Sequence, residues 1–289
     1  MKTILVTGGA GFIGSNLIEK LKEIYPDYKI ISLDNYFTGT KENHIQGVVY
    51  IEGHTKDIEK LVQEKPDIVF HLGEYSRVEK SFDDVQTVFD FNKVGTFAVL
   101  EFCRKHNAKL VYAGSSTKFG DGGLGRDQSP YAWAKATNTE LVINYGNWYN
   151  LDYAITYFYN VYGPREIARG DYATVIGIFT EKFKNNEPLN VVSPGTQLRN
   201  FTHVDDIVNG LILVGEKGQG DEYGLGSENA YSILEIANMF KLPINMLPER
   251  KGNRMTAQVK THRTKNELGW SAKKNIIDYI QNITESANK

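Results

Sequence analysis

One cysteine in 289 residues, Cys103, excludes an internal disulfide and supplies no thiolate cluster for a metal. It falls in an apolar-periodic helical stretch and reads as a core thiol. No apolar run approaches the roughly 20 residues that a membrane-spanning helix needs. Met1 leads almost directly into a strand-like run, without the charged and apolar segments of a secretory signal. The expectation is a soluble cytoplasmic protein. An excess of one charge is also lacking. The 33 Lys and Arg against 35 Asp and Glu give a formal net charge of −2, interspersed along the chain. No basic block suits nucleic acid or an anionic membrane surface, so neither is expected as a partner. Long linkers, internal repeats and low-complexity stretches are missing too. The length allows one large domain or two modest ones, with ample core.

What is there is an alternation. Strand-like runs at 3–7, 29–34, 48–52, 68–72, 109–115 and 154–159 are separated by helical patterns. This predicts an α/β fold: a doubly wound, Rossmann-type parallel sheet over residues 1–162. Past Tyr162 the texture changes, beginning with the turn signal Gly163-Pro164. Helix-like segments at 174–185, 204–214, 232–240 and 276–283 alternate with short apolar runs. Residues 163–289 are expected to form mainly a smaller α/β lobe, some of its segments returning to the first domain. A substrate would sit between the lobes at the C-terminal edge of the sheet, where open α/β sheets bind ligands.

The stretch Thr7-Gly8-Gly9-Ala10-Gly11-Phe12-Ile13-Gly14 lies between the apolar run Ile4-Leu5-Val6 and an amphipathic segment. A strand, a glycine turn and a helix are the context that makes such a motif informative. Gly8 permits the tight turn, Gly11 lets the backbone approach a pyrophosphate, and Gly14 lets the helix pack closely on the strand. The helix N-terminus then faces the anion. Asp34 closes the next apolar run, and an acid there can accept both hydroxyls of an adenosine ribose. No Lys or Arg follows until Lys41, so nothing nearby suits a 2′-phosphate. The expected cofactor is NAD rather than NADP.

Tyr131 and Lys135 lie four apart at the start of a long helical pattern, just after Ser129-Pro130, and so share a helix face. A tyrosine beside an ammonium can act as a general base. Bringing a phenol from about 10 to near neutrality needs roughly 4 kcal/mol of preference for the phenolate. One positive charge at ~6 Å contributes about 2.8 kcal/mol at an effective dielectric of ~20. Lys135 and an oxidised nicotinamide together would suffice. A hydroxyl from Gly114-Ser115-Ser116-Thr117, at the end of the preceding strand, could bond to the reacting sugar hydroxyl.

At this point the chain resembles the extended short-chain dehydrogenase/reductases, in particular the NAD-dependent nucleotide-sugar epimerase/dehydratase group typified by UDP-glucose 4-epimerase. The matching stretches are TGGAGFIG at 7–14, LDN at 33–35, HLG at 71–73 and N-x-x-G-T at 92–96. They continue with SST at 115–117, YAWAK at 131–135, NVYGPRE at 160–166, RNFTHVDD at 199–206 and ELGW at 267–270. The resemblance implies a cofactor held by Gly8, Gly11, Phe12, Ile13 and Gly14. It adds Asp34, Asn35, Thr38 and Gly39 after the second strand, and Leu72 and Gly73 after the fourth. Tyr131 and Lys135 also touch the cofactor, and Asn92 is included as the asparagine behind their helix. Catalysis would rest on Ser115, Tyr131 and Lys135. Tyr131 removes the proton from the sugar 4-hydroxyl while hydride leaves C4, and the 4-keto sugar turns over and takes hydride back on its other face. Substrate contacts would come from Ser115, Thr117, Asn160 and the diphosphate-binding Arg199 and Arg250, with Glu74 as a further candidate. His203 reads as structural. The substrate partner is an NDP-hexose, a UDP-sugar by default, and the resemblance implies a homodimer through helices near 86–106 and 131–149. The reaction implied is 4-epimerisation. The alternatives are 4,6-dehydration or 4-ketoreduction by the same family, and an idle NAD-binding sensor.

Several positions depart from the family's pattern. Dehydratases usually carry an Asp-Glu pair where this chain has Ser116 and Thr117. Glu74 stands where a small residue is more usual, and would face either the sugar or solvent. Glu52-Gly53-His54-Thr55 replaces the adenine-side aspartate, Tyr157 replaces an arginine, and Ala257 falls near a pocket-limiting tyrosine. The loop from Gly120 to Tyr131 is short and glycine-rich, which suggests an open sugar pocket.

Overall fold

The computed structural model describes residues 2–249, 255 and 259–286. Strands β1 (Thr3–Thr7), β2 (Lys29–Asp34), β3 (Val49–Glu52), β4 (Ile68–His71), β5 (Lys109–Ser115) and β6 (Tyr153–Phe158) form the first half. Between them run α1 (Phe12–Ile24), α2 (Ile58–Leu61), α3 (Val85–Val88), α4 (Gly95–His106) and α5 (Pro130–Tyr149). The second half contributes β7 (Val161–Tyr162), α6 (Val175–Lys184), β8 (Leu189–Val192), β9 (Leu198–Asn200), β10 (Thr202–His203) and α7 (Val204–Lys217). It ends with β11 (Gly220–Leu225), β12 (Ala230–Ser232), α8 (Ile233–Met239), β13 (Ile244–Leu247), α9 (His262–Leu268) and α10 (Ile276–Ser286).

Seven strands make one parallel sheet in the order β11-β6-β5-β4-β1-β2-β3. Its central strands are apolar runs because helices cover both faces. Leu5, Val69, Leu110 and Ile155 are buried under α4 and α5 on one face, with Cys103 among them. Ile4, Val6, Phe70 and Val111 are buried under α1 and α7 on the other. The six expected strands are present, with end shifts of a residue. The seventh, β11, lacks an apolar run, since Gly220-Asp221-Glu222-Tyr223-Gly224-Leu225 holds two acids and two glycines. It pairs with β6 through an irregular register, with Glu222 at φ +75°. From the second half of the chain α7, β11, α9 and Trp270 pack with this sheet; the Trp270 indole Nε1 donates to the Asp206 carbonyl at 3.0 Å, and Thr264 of α9 donates to the Gly224 carbonyl of β11 at 2.8 Å.

The remaining second-half elements build a separate core around Tyr162, Phe179, Phe201, Phe240 and Ile280. Its strands occur only as pairs: β7 with β10, β9 with β12, and β8 with β13. Local chemistry sets the helix starts. Ser232 and Glu235 form a capping box at α8, and His203 caps α7 by accepting from the Asp205 amide at 3.1 Å. His203 is thus structural, as expected. No helix among the described residues is long and apolar enough to cross a membrane.

Candidate active site

The cofactor end is built by backbone. Gly8 has φ +72°, and a Cβ there would fall 2.8 Å from Gly73 on the neighbouring strand end. A Cβ on Gly14 would fall 2.1 Å from the Gly8 carbonyl oxygen, so only glycine lets α1 start against the turn. Gly11 precedes α1 with no side-chain cap, leaving first-turn amides to an external acceptor. Phe12 and Ile13 are partly buried against the sheet, as is Leu72. Asp34 is buried at the end of β2. Its Oδ2 accepts from the Ala10 amide at 2.9 Å and its Oδ1 from the Tyr36 amide at 2.8 Å. Burial outweighs these bonds and holds its carboxyl above the usual value. A pocket joins Asp34 and Asn35 to Gly53, His54, Thr55 and Phe91. The segment replacing the adenine-side aspartate therefore lines the same pocket as Asp34. The His54 ring meets Phe91 edge-on at 4.7 Å. Thr38 is exposed, while Gly39 packs on Ala10, whose carbonyl also receives the Thr40 amide at 3.1 Å. Lys41, the first cation after Asp34, is drawn off to Glu52 at 3.1 Å.

The reacting end is built by side chains. Ser129 caps α5 by accepting from the Ala132 amide at 3.1 Å, and Pro130 opens the helix. This fixes Tyr131 over the end of β5, where its hydroxyl donates to Ser115 Oγ at 3.3 Å. Thr117 Oγ1 lies 2.9 Å from Ser115 Oγ. One turn along, Lys135 Nζ donates to the Ala113 carbonyl and to Glu74. An ammonium has three N–H groups, so one remains for a ligand.

Glu74 requires a correction. It faces neither the sugar nor solvent: its side chain is 3% exposed. Its Oε1 accepts from Thr96 Oγ1 at 2.9 Å, Tyr112 OH at 3.1 Å and Asn138 Nδ2 at 3.2 Å. Glu74 is the buried counter-ion of Lys135. Asn92 is likewise internal. Its Oδ1 accepts from the Tyr75 amide at 2.7 Å and its Nδ2 donates to the Tyr75 carbonyl at 3.0 Å, which clamps the loop carrying Glu74. Its position suits the asparagine behind the helix and not a direct cofactor contact. Behind Glu74, buried His71 bridges Thr7 Oγ1 at 2.7 Å and Thr96 Oγ1 at 3.0 Å; burial pulls its imidazole down to about 4 and keeps it neutral.

The substrate candidates of the second half are more dispersed. Asn160 has φ +34°, and its Nδ2 donates to the Asn200 carbonyl at 3.1 Å. Arg199 is half-buried on β9, its Nη1 on the Leu198 carbonyl at 2.8 Å. Arg250 and Ala257 lie outside the described residues. Tyr157 replaces an arginine with a buried group: its hydroxyl donates to Asp221 at 2.7 Å and receives Lys118 Nζ at 2.9 Å. The Gly120–Tyr131 loop turns back through left-handed Asp121, Gly122 and Gly123.

Two groups here went unread in the sequence. Arg77, three residues after Glu74, reaches into the second half and rests on the Tyr172 carbonyl. Glu166, in NVYGPRE, is half-buried within range of its charge, and desolvation pushes its carboxyl up to about 7. A charged residue within the loop that follows H-L-G was the available signal for the first.

A doubly wound sheet with a glycine turn before α1, a buried acid at the end of β2 and a Tyr-Lys helix face defines a dinucleotide-binding α/β enzyme fold. The pattern of the NAD dependent epimerase/dehydratase family matches residues 4–226, and the chain belongs to that family. Its cofactor is NAD. A Methanocaldococcus jannaschii protein provisionally named a UDP-glucose 4-epimerase is 31% identical over 302 residues, covering 97% of this chain and 96% of its own. UDP-glucuronic acid decarboxylase 6 of Arabidopsis thaliana is 28% identical, covering 93% and 84%. The UDP-glucose 4-epimerase of Thermotoga maritima, solved with UDP-glucose, superposes with a TM-score of 0.89 at 26% identity, covering 99% of this chain and 98% of that one.

Proposed function

We propose that this chain is an NAD-dependent nucleotide-sugar 4-epimerase that inverts C4 of an NDP-hexose through a 4-keto sugar. The observation that carries the reading is the hydroxyl set at the end of β5. Tyr131 OH stands 3.3 Å from Ser115 Oγ, and Ser116 and Thr117 follow where a dehydratase needs acids. Bound NAD supplies the hydride acceptor and donor at C4. Tyr131 takes the O4 proton and later returns it. Ser115, buttressed by Thr117, holds O4 in line with Tyr131. Lys135 places positive charge under Tyr131 and keeps one N–H for the cofactor ribose. Residues 116 and 117 are not acids and Glu74 is committed to Lys135, so none of these three positions offers an acid to expel water across C5 and C6, which disfavours dehydration.

In this reading residues 1–162 hold the cofactor, and 163–289 mainly hold the nucleotide, with Asn160, Arg199 and Arg250 on that side. UDP is the default base. A homodimer is part of the proposal. The outer faces of α3, α4 and α5 carry Val85, Phe97, Trp133 and Trp148, and the turn 89–94 that joins α3 to α4 adds Phe89 and Val94; Phe97 is 51% and Trp148 61% exposed. Light scattering at micromolar concentration should give twice the chain mass; a monomeric mass counts against it.

Replacing Tyr131 by Phe tests the chemistry. It should lower turnover by about 10²- to 10⁴-fold while NAD stays bound. Near-normal turnover contradicts the mechanism. Bound NAD with no turnover of any nucleotide sugar by the unaltered protein would restore the sensor reading.

A further inference from the structure

Arg77 is a half-buried cation that makes no ion pair among the described residues. Its Nε donates to the Tyr172 carbonyl at 2.7 Å, its Nη2 to the same oxygen, and its Nη1 to the Ser76 carbonyl at 3.1 Å. A guanidinium has five N–H groups. These three bonds go to uncharged acceptors, which leaves two N–H groups. Among the described residues no carboxylate lies within 4.0 Å of it. Burial pulls the guanidinium below its ordinary value. The titratable groups facing it are Tyr131, Glu166, Tyr75 and Glu79. Glu166 is engaged elsewhere, accepting from Thr174 Oγ1 and from the Gly163 amide at 3.3 Å. Tyr131 and Tyr172 both pack against the cluster of Tyr75, Val88 and Ala134, and Tyr131 is among the groups whose charge Arg77 feels, which puts the guanidinium on the Tyr131 side of the cleft. A desolvated charge is costly unless something pairs with it.

The position selects the anion. Tyr131 marks where the sugar O4 sits. The ring neighbours of C4 are C3 and C5, so a group carried on O3 or at C6 lies within a few bonds of O4. The diphosphate hangs from C1, across the ring. We propose that Arg77 binds a carboxylate borne by the sugar itself, so that the substrates are nucleotide sugar acids. The acid is either a hexuronate at C6 or a group linked through O3. This assignment rests on the proposed 4-epimerase reading for the placement of O4. A planar guanidinium fork with two N–H groups to spare matches a carboxylate.

The test uses the NAD-loaded protein and two matched pairs: UDP-glucuronate with UDP-glucose, and UDP-N-acetylmuramate with UDP-N-acetylglucosamine. Calorimetry reads binding and proton NMR reads products. At least one acid should bind about 10- to 100-fold more tightly than its neutral partner, the range expected of hydrogen bonds to a charged group. Arg77→Gln should abolish that preference and leave the neutral sugars within about twofold. Arg77→Lys should keep part of it, which guards against misfolding of the first variant. Acids binding no more tightly than neutral sugars overturn the assignment. So does an equal loss for both classes in Arg77→Gln, which would make Arg77 a staple to Tyr172. An acid preference with loss of water or CO2, or with no turnover, keeps Arg77 and discards the epimerase reading. Epimerisation of neutral sugars indifferent to Arg77 does the reverse.

Discussion

Two cations flank Tyr131, and the chain treats them differently. Lys135 is 6% exposed and is paired with Glu74, itself held by three further donors. Arg77 rests on two backbone carbonyls and finds no carboxylate among the described residues. A buried ion pair gains stability only when the geometry satisfies the remaining lone pairs and protons, as it does around Glu74. A cation left on neutral acceptors gains nothing comparable. The difference separates a charge that the fold completes for itself from one completed by what enters the cleft. It also gives Glu74 a role as the internal counter-ion of Lys135.

Removing Glu74 should break the first half of that comparison most severely. Glu74→Ala leaves a buried ammonium unpaired and three donors without an acceptor, which should cost about 3–5 kcal/mol in denaturant unfolding. Glu74→Gln keeps the shape and removes the charge. The loss in Glu74→Gln should be smaller, because an amide oxygen still accepts from those donors. A loss equal to that of Glu74→Ala would show that the charge alone carries the stabilisation.

Glu166 sharpens the second half. Its carboxyl is raised from 4.5 to about 7 by burial, so between those values the folded chain holds a proton that the unfolded chain has released. Stability should therefore be greatest below about 4.5 and fall as pH rises through 7, by roughly 3 kcal/mol from this group. Glu166→Gln should flatten that slope between pH 5 and 8. An unchanged slope would mean that Arg77 already neutralises the carboxylate, contradicting the isolation of the guanidinium.

Ser129→Ala is the smallest perturbation. It removes the cap of the helix that carries both Tyr131 and Lys135 and should cost about 1 kcal/mol by thermal unfolding. An unchanged melting temperature would show that Pro130 and packing, rather than the Ser129 cap, fix the start of α5.

The legible parts of this protein are those in which the physics is local. The glycine loop reads from sequence because the positive φ of Gly8 and the approach of Gly14 to the Gly8 carbonyl concern residues within one turn. Asp34 reads because it ends an apolar strand. Tyr131 and Lys135 read because helical spacing alone puts them on one face. The strand β11 did not read, since an edge strand with Gly220 and Gly224 and two acids has neither periodicity nor an apolar run. Glu74 did not read correctly because its partners Thr96, Tyr112, Lys135 and Asn138 lie 22 to 64 positions away. Only the packing of α4, β5 and α5 around one loop brings them together. Arg77 was missed for the same reason, as its anchor Tyr172 is 95 positions distant.

The most direct test of the central claim is conversion of nucleotide sugars in D2O with no added cofactor, followed by proton NMR and mass spectrometry. The account predicts a C4 epimer of unchanged mass with no deuterium at C4, because the hydride removed there is the one returned. Solvent deuterium at C4, or a product that has lost water, would contradict it.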